Sequence, residues 1–221
     1  MSSGNPKRQM FAQFAVVARA LGHEHRLELI EHLGQGEWPV EHLSARTGLA
    51  FANVSQHLQQ LRRGGLVTSR RSGKQILYSL ASGPIVELIA AVQQVAGHNL
   101  AEAYHLMETY YRKLDALEAI ASAELMARLR DDTVTLLDVR PDDEFRAGHL
   151  PGALQVDLAE LELRLGELPT DREIVAYCRG PYCVLSFEAV SLLRAHGLPA
   201  RRLVDGFPEW KAAGLPVEKA A

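Results

Sequence analysis

Apolar positions recur at helical spacing from near Gln9 (Phe11, Phe14, Ala15, Ala18) and again from Glu24 (Leu27, Ile30, Leu33), until Gly34 and Gly36 stop the pattern. Two scaffold helices are predicted there. Pro39 suits the first turn of a third helix with Val40 and Leu43 facing inward, Thr47-Gly48-Leu49 makes a tight turn, and Val54, Leu58 and Leu61 share one face of a fourth. Two short helices joined by a Gly-containing turn form a helix-turn-helix. Gly64-Gly65 ends the second of them, and Leu66 to Ser79 reads as a hairpin around Ser72-Gly73, a wing with a basic tip. From Pro84 a helical pattern continues through Ile85, Leu88, Val92, Val95, Leu106 and Tyr110 to Lys113. At about 1.5 Å per residue this long helix 84–113 would span about 45 Å. So long an apolar stripe exceeds what one small domain covers, which predicts a homodimer seam along it.

After a connector at 114–122 the pattern changes to alternating helix and strand. A helix from Ala123 to Arg130 precedes an apolar strand, Val134 to Val139, then a polar helical turn at Pro141 to Ala147 and the loop His149-Leu-Pro-Gly-Ala. A helix near Leu158 to Leu165, a strand Glu173 to Tyr177, a helix Val184 to His196, a strand Arg202 to Val204 and a short helix from Phe207 follow. This alternation predicts a mostly parallel sheet flanked by helices, with ligands gathering beyond the carboxyl ends of the strands. The fold class is therefore two-domain: a mainly α winged helix-turn-helix over 1–113, then an α/β domain over 123–221.

Charge sharpens that division. Residues Met1 to Lys113 hold 12 Lys and Arg against 8 Asp and Glu, whereas Leu114 to Ala221 hold 12 against 19. No acidic residue occurs from His42 to Val86, where Arg46, Arg62, Arg63, Arg70, Arg71 and Lys74 lie. The basic half is the candidate nucleic-acid binder. With Val54, Leu58 and Leu61 inward, Gln56, Gln59, Gln60 and Arg63 point outward, flanked by Asn53 and Ser55. Gln and Asn pair with adenine edges, while Arg62, Arg63, Arg70, Arg71 and Lys74 would hold phosphates of double-stranded DNA. His57 turns toward the buried side and reads as a packing residue. No run approaches a membrane span or a signal peptide, so no membrane contact and a cytoplasmic location are expected.

The block from Glu37-Trp-Pro-Val-Glu-His-Leu43 through Val54-Ser-Gln-His-Leu58 to Gly64-Gly-Leu-Val67 resembles the ArsR family of winged-helix repressors. The resemblance implies a homodimer on a palindromic operator. Where many metal-sensing members carry paired cysteines, this chain has Pro39 and Glu41, which excludes a thiolate metal site at that place. His98, Glu102, His105 and Glu108 sit at helical spacing but read more plainly as surface residues, so no metal and no cofactor is expected.

Both cysteines, Cys178 and Cys183, fall in one loop between a buried strand and a helix. In a reducing cytosol such a pair is more often reactive than structural. A thiol at a strand-to-helix turn faces backbone N–H groups and the positive end of a helix, which lowers its pKa from about 8.5 to roughly 3.5–7.5. The motifs Leu137-Asp-Val-Arg-Pro141, Glu144 to Ala153, Tyr177-Cys-Arg-Gly180 and Asp205-Gly-Phe-Pro-Glu-Trp210 together resemble a single rhodanese domain. That resemblance implies a sulfur-carrying Cys178, with Gly180 letting the loop curl and Arg179 adding positive charge or steering an anionic donor. It assigns Asp138, Arg140, Glu144 and His149 to bracing the loop. The six-residue loop is similar in length to those of sulfur-transferring members rather than to the longer loops of related phosphatases and arsenate reductases. Cys183 is a candidate resolving thiol that attacks a Cys178 persulfide. Three functions stand open: a regulator sensing reactive sulfur or redox state from a small sulfur donor, a sulfurtransferase with an accessory DNA-binding module, and an arsenite or metal sensor using the Cys178/Cys183 dithiol.

Overall fold

A computed structural model describes residues 5–111 and 119–220. The chain divides into two compact units, Met1–Ile85 and Val86–Ala221. The expected domain boundary at 113 and residues 114–118 of the expected connector 114–122 lie outside the described residues.

In the first unit, α1 (Pro6–Leu21) and α2 (Glu24–Gln35) precede a two-residue strand β1 (Trp38–Pro39), followed by α3 (Val40–Thr47) and α4 (Phe51–Arg63). Gly48 lies in the left-handed region at φ 69°, a conformation open to glycine, and this turns α3 into α4. Val54, Leu58 and Leu61 are fully buried together with Leu29 and Leu43, so the helical period seen in the sequence sets the core. The wing is an antiparallel hairpin, β2 (Val67–Ser72) and β3 (Gln75–Leu80), closed at Gly73-Lys74. The turn sits one residue later than expected. β1 adds to this hairpin by pairing Trp38 with Tyr78 and Pro39 with Leu77. Proline is tolerated there because the strand is a short edge. The expected scaffold role of α1 holds for Ala20 and Leu21, which are buried, but Phe11 and Phe14 are more than half exposed.

The long helix expected over 84–113 is not continuous. It is α5 (Ile85–Asn99), then α6 (Ala101–Leu106), then a π-helical turn Met107–Tyr111, with Leu100 extended at φ −104°, ψ 115° between the first two. The local cause is Gly97-His98-Asn99, three weak helix formers in a row, and the Asn99 amide donates to the Val95 carbonyl at 3.1 Å. The break places His98 on a different helix from Glu102 and His105.

The rest of the second unit is a four-stranded parallel sheet flanked by helices. Its elements are α7 (Ser122–Arg130), β4 (Val134–Asp138), α8 (Asp142–Ala147), β5 (Leu154–Gln155), and α9 (Leu158–Leu161) running into a 3-10 turn. After these come β6 (Glu173–Tyr177), α10 (Val184–Ala195), β7 (Ala200–Arg202) and α11 (Phe207–Ala212). Strand order is β5-β4-β6-β7, all pairs parallel. The central strands β4 and β6 are covered on both faces, which explains their near-continuous apolar runs. One core layer gathers Leu137, Val190 and Leu193; the other gathers Leu136, Phe207 and Trp210. Strand β5 has no counterpart in the sequence pattern, since two residues carry too little alternation to register.

Candidate functional sites

The first site is the outer face of α4 with the hairpin. Asn53, Gln56, Gln59, Gln60, Arg62 and Arg63 are exposed, and Ser55 is half-buried at the flank. Arg71 and Lys74 are exposed at the wing tip. Arg70 is exposed as well, but its guanidinium forms a two-pronged ion pair with Glu37, Nε to Oε2 at 2.9 Å. The carboxylate holds Arg70 above its ordinary pKa and competes with any phosphate for its N–H groups. Sequence reading missed this partner because Glu37 lies 33 positions away.

His57 is half-buried as expected, yet its partners are other imidazoles rather than the apolar core. Its ring centroid lies 4.5 Å from that of His23 and 5.8 Å from that of His25.

The second site is the loop from Cys178 to Cys183, between the carboxyl end of β6 and the start of α10. Its buried support is a charge network. Arg140 reaches Asp138 with Nε to Oδ1 at 3.0 Å and the Gly148 carbonyl with Nη2 at 2.8 Å, and both side chains are fully buried. Burial alone would lower the Arg140 pKa, but the Asp138 charge and its hydrogen bonds outweigh it and raise it. Tyr177, the residue before Cys178, donates its hydroxyl to Asp138 and accepts the Leu150 N–H at 3.1 Å. Burial first, then the Asp138 charge, push that hydroxyl well above its ordinary range, so it stays a donor. His149 stacks on Phe145 at 3.8 Å and its Nδ1 meets the Phe145 carbonyl at 2.9 Å.

Arg179 departs from the expected part of a donor-steering cation. Its guanidinium is clamped two-pronged on the buried Glu144, Nε to both carboxylate oxygens at 3.0 Å. The pair fixes the loop with no net charge. Gly180 departs too: its φ is not in the left-handed region, and a Cβ there would make ordinary contact with Glu209. The residue that must be glycine is Gly206, where a Cβ would collide with the Arg179 and Gly180 backbone. Phe207 then donates its N–H to the Cys178 carbonyl at 3.0 Å, tying α11 to the loop.

The two sulfurs are bonded to each other, with 6.2 Å between the Cα atoms. In this state Cys178 is 1% exposed and Cys183 7%. Cys183 is also the N-cap residue of α10, so the positive end of a 12-residue helix faces the disulfide. One further contact was invisible in the sequence. Tyr111, at the end of the π-helical turn, donates its hydroxyl to the Tyr182 carbonyl at 3.1 Å and meets the Tyr182 and Phe187 rings edge-on. Tyr182 precedes Cys183 directly.

A winged helix-turn-helix followed in one chain by a parallel sheet with a cysteine loop defines a class of protein, a regulator module joined to a rhodanese-like domain. A helix-turn-helix domain model matches residues 21–70 and a rhodanese-like domain model residues 121–213. The HTH-type transcriptional regulator Rv0324 of Mycobacterium tuberculosis is 43% identical over 219 residues, covering 97% of this chain and 94% of that protein. The chain therefore belongs to this family of HTH-type transcriptional regulators, with the ArsR-like winged helix at its amino end and the rhodanese domain after it. A sulfurtransferase of Allochromatium vinosum is 35% identical over 100 residues, 44% of this chain and 92% of that one. The solution structure of a homodimeric winged helix-turn-helix DNA-binding domain from Mycobacterium bovis is 35% identical, covers 46% of this chain and 94% of that one, and has a TM-score of 0.42. Among the described residues no helix is long and apolar enough to cross a membrane.

Proposed function

We propose that the chain is a homodimeric, cytoplasmic transcriptional regulator whose hold on a palindromic DNA operator is set by the sulfur state of Cys178 and Cys183. The Tyr111 contact carries this reading. The segment α5–α6–π-turn leads straight out of the winged helix in the chain, and its last described residue rests on the loop that holds both sulfurs. A loop that rearranges when the sulfurs part or bond therefore acts on that segment first. Base-reading residues would be Gln56, Gln59, Gln60, Asn53 and Ser55, with Arg62, Arg63, Arg71 and Lys74 on phosphates. Support for a dimer comes from apolar side chains that this segment leaves exposed, among them Val95, Leu100 and Leu106.

The chemistry balances without a cofactor. A persulfide donor, RSSH, passes its outer sulfur to the Cys178 thiolate and leaves as the thiolate RS⁻, giving a Cys178 persulfide. The Cys183 thiolate then attacks Cys178 Sγ, forming the disulfide and expelling hydrosulfide; two thiols are oxidised by two electrons and the transferred sulfur is reduced. A donor of small size suits sulfurs this buried.

Operator titrations with reduced, polysulfide-treated and Cys178→Ser protein test the proposal. The treated wild type should differ from both others, and three coincident curves would refute sensing. A second reading, catalytic sulfur transfer, draws on the Allochromatium relative. Multiple-turnover thiocyanate or sulfide production would favour it over a stoichiometric modification. The dithiol metal-sensor reading is weaker, since among the described residues no three His, Cys, Asp or Glu side chains converge on a metal-holding geometry.

A further inference from the structure

Beside α4 lies a cavity of about 500 Å³ lined by three imidazoles, His23, His25 and His57, by the charged Glu24 and Arg26, and by Asn53, Gln56 and Gln60 of the outward helix face. The imidazoles form a triangle: the third side, His23 to His25, measures 5.2 Å between centroids. Asn53, Gln56 and Gln60 are the residues expected to meet base edges, so a duplex seated on them brings its backbone over this cavity. We infer that the histidine cavity is a proton-gated phosphodiester site, in which His57 and His25 take up protons as a DNA backbone phosphate enters while His23 stays neutral as the cap of α2. The inference rests on the DNA-reading role proposed above.

Three rings so close repel one another when charged. Burial first, then His23, Arg26 and His25, hold His57 below its ordinary pKa, against the opposing pull of Glu24. Glu24 and Arg26 line the cavity with the cluster, and Glu28 stands beside it. The Arg26 guanidinium is bonded to the Ala20 and Arg19 carbonyls at the end of α1, and Glu28 lies 3.7 Å from His25 Nδ1. The unliganded cavity therefore favours neutral His57 near pH 7. A phosphate reverses the balance, because its negative charge stabilises the imidazolium forms of His57 and His25. Binding then takes up protons, and affinity rises as pH falls.

A divalent metal is the competing occupant, and the geometry disfavours it. His23 caps α2 by accepting the His25 N–H on Nδ1 at 3.2 Å, which leaves the proton on Nε2 and removes that nitrogen as a ligand in the neutral ring. A metal would also bind neutral imidazoles and so tighten with rising pH, the opposite sign.

The test is a fluorescence titration of the full chain on operator duplex at fixed salt, pH 7.5 and pH 6.0, with EDTA present. Wild type is expected to bind at least fivefold tighter at pH 6.0, on the order of the tenfold-per-unit limit for one linked proton. The His25→Gln/His57→Gln variant is expected to change less than twofold, and His23→Asn, which keeps a capping side chain, to keep the wild-type pH response. Should the double variant fold poorly, NMR of the wild-type imidazoles decides: the pKa values of His25 and His57 should rise when duplex is added. A flat wild-type pH profile with DNA binding intact overturns the site and leaves the regulator reading standing. A pH response that needs added Zn(II) assigns the cavity to a metal and also overturns it. Absence of duplex binding at both pH values removes the DNA-reading role and this inference with it.

Discussion

Replacing Tyr111 by phenylalanine removes one hydroxyl from the contact between the π-helical turn and the cysteine loop while keeping the ring. The lost bond is the 3.1 Å donation to the Tyr182 carbonyl; the ring contacts to Tyr182 and Phe187, at 6.0 and 5.0 Å, remain. A half-buried hydrogen bond of this kind contributes about 0.5–1.5 kcal/mol. If it forms in one sulfur state only, its whole value belongs to the coupling, and the ratio of operator affinities between states should shrink by about 2- to 13-fold. Tyr111→Ala also removes two edge-on aromatic pairs, each contributing about 0.5–1.5 kcal/mol, and should abolish most of the ratio. The assay is anisotropy on a fluorescent operator duplex, each protein titrated reduced and polysulfide-treated at one salt concentration, with thermal unfolding run beside it. A ratio unchanged in both variants, with folding intact, would refute the idea that this contact transmits the sulfur state.

Gly206→Ala should lower the melting temperature of the rhodanese-like unit through overpacking of about 1–3 kcal/mol, because the added methyl collides with the Arg179–Gly180 backbone; an unchanged unfolding curve would show that the loop yields without strain. Asp138→Asn should cost about 3–5 kcal/mol in chemical denaturation by leaving the fully buried Arg140 charge without its carboxylate, and a loss under about 1 kcal/mol would contradict the buried-pair account. Arg63→Ala should reduce the slope of log affinity against log salt by about one, whereas Glu37→Gln, which releases Arg70 from its ion pair, should steepen it; equal slopes in all three proteins would remove both residues from the interface.

Periodicity and motif carried the reading where neighbours in sequence do the work. The buried face Val54, Leu58, Leu61 followed from helical spacing alone, and strand β6 runs over Glu173–Tyr177 as its unbroken apolar run foretold. The continuous helix failed at Leu100 because the apolar stripe extends past a Gly-His-Asn run whose local chemistry outweighs it. The side-chain partners were hidden for a different reason. Arg70 with Glu37, Arg179 with Glu144 and Tyr111 with Tyr182 are separated by 33, 35 and 71 positions, and a charge in a sequence does not declare which opposite charge the fold will bring to it. Arg179 is accordingly a clamp neutralised by Glu144, and Gly180 sits at an ordinary distance from Glu209. The close approach that requires glycine falls instead on Gly206, in the Asp205–Trp210 motif.

Whether two sulfur atoms govern grip on DNA is decided most directly by one titration. Polysulfide-treated protein is bound to operator duplex, its affinity measured, and the same sample then reduced with excess thiol and measured again. A reversible change of about 5- to 150-fold is expected, the range of a coupling of about 1–3 kcal/mol, absent in Cys183→Ser. An affinity that stays constant through the cycle, while mass spectrometry confirms that the disulfide forms and opens, would contradict it.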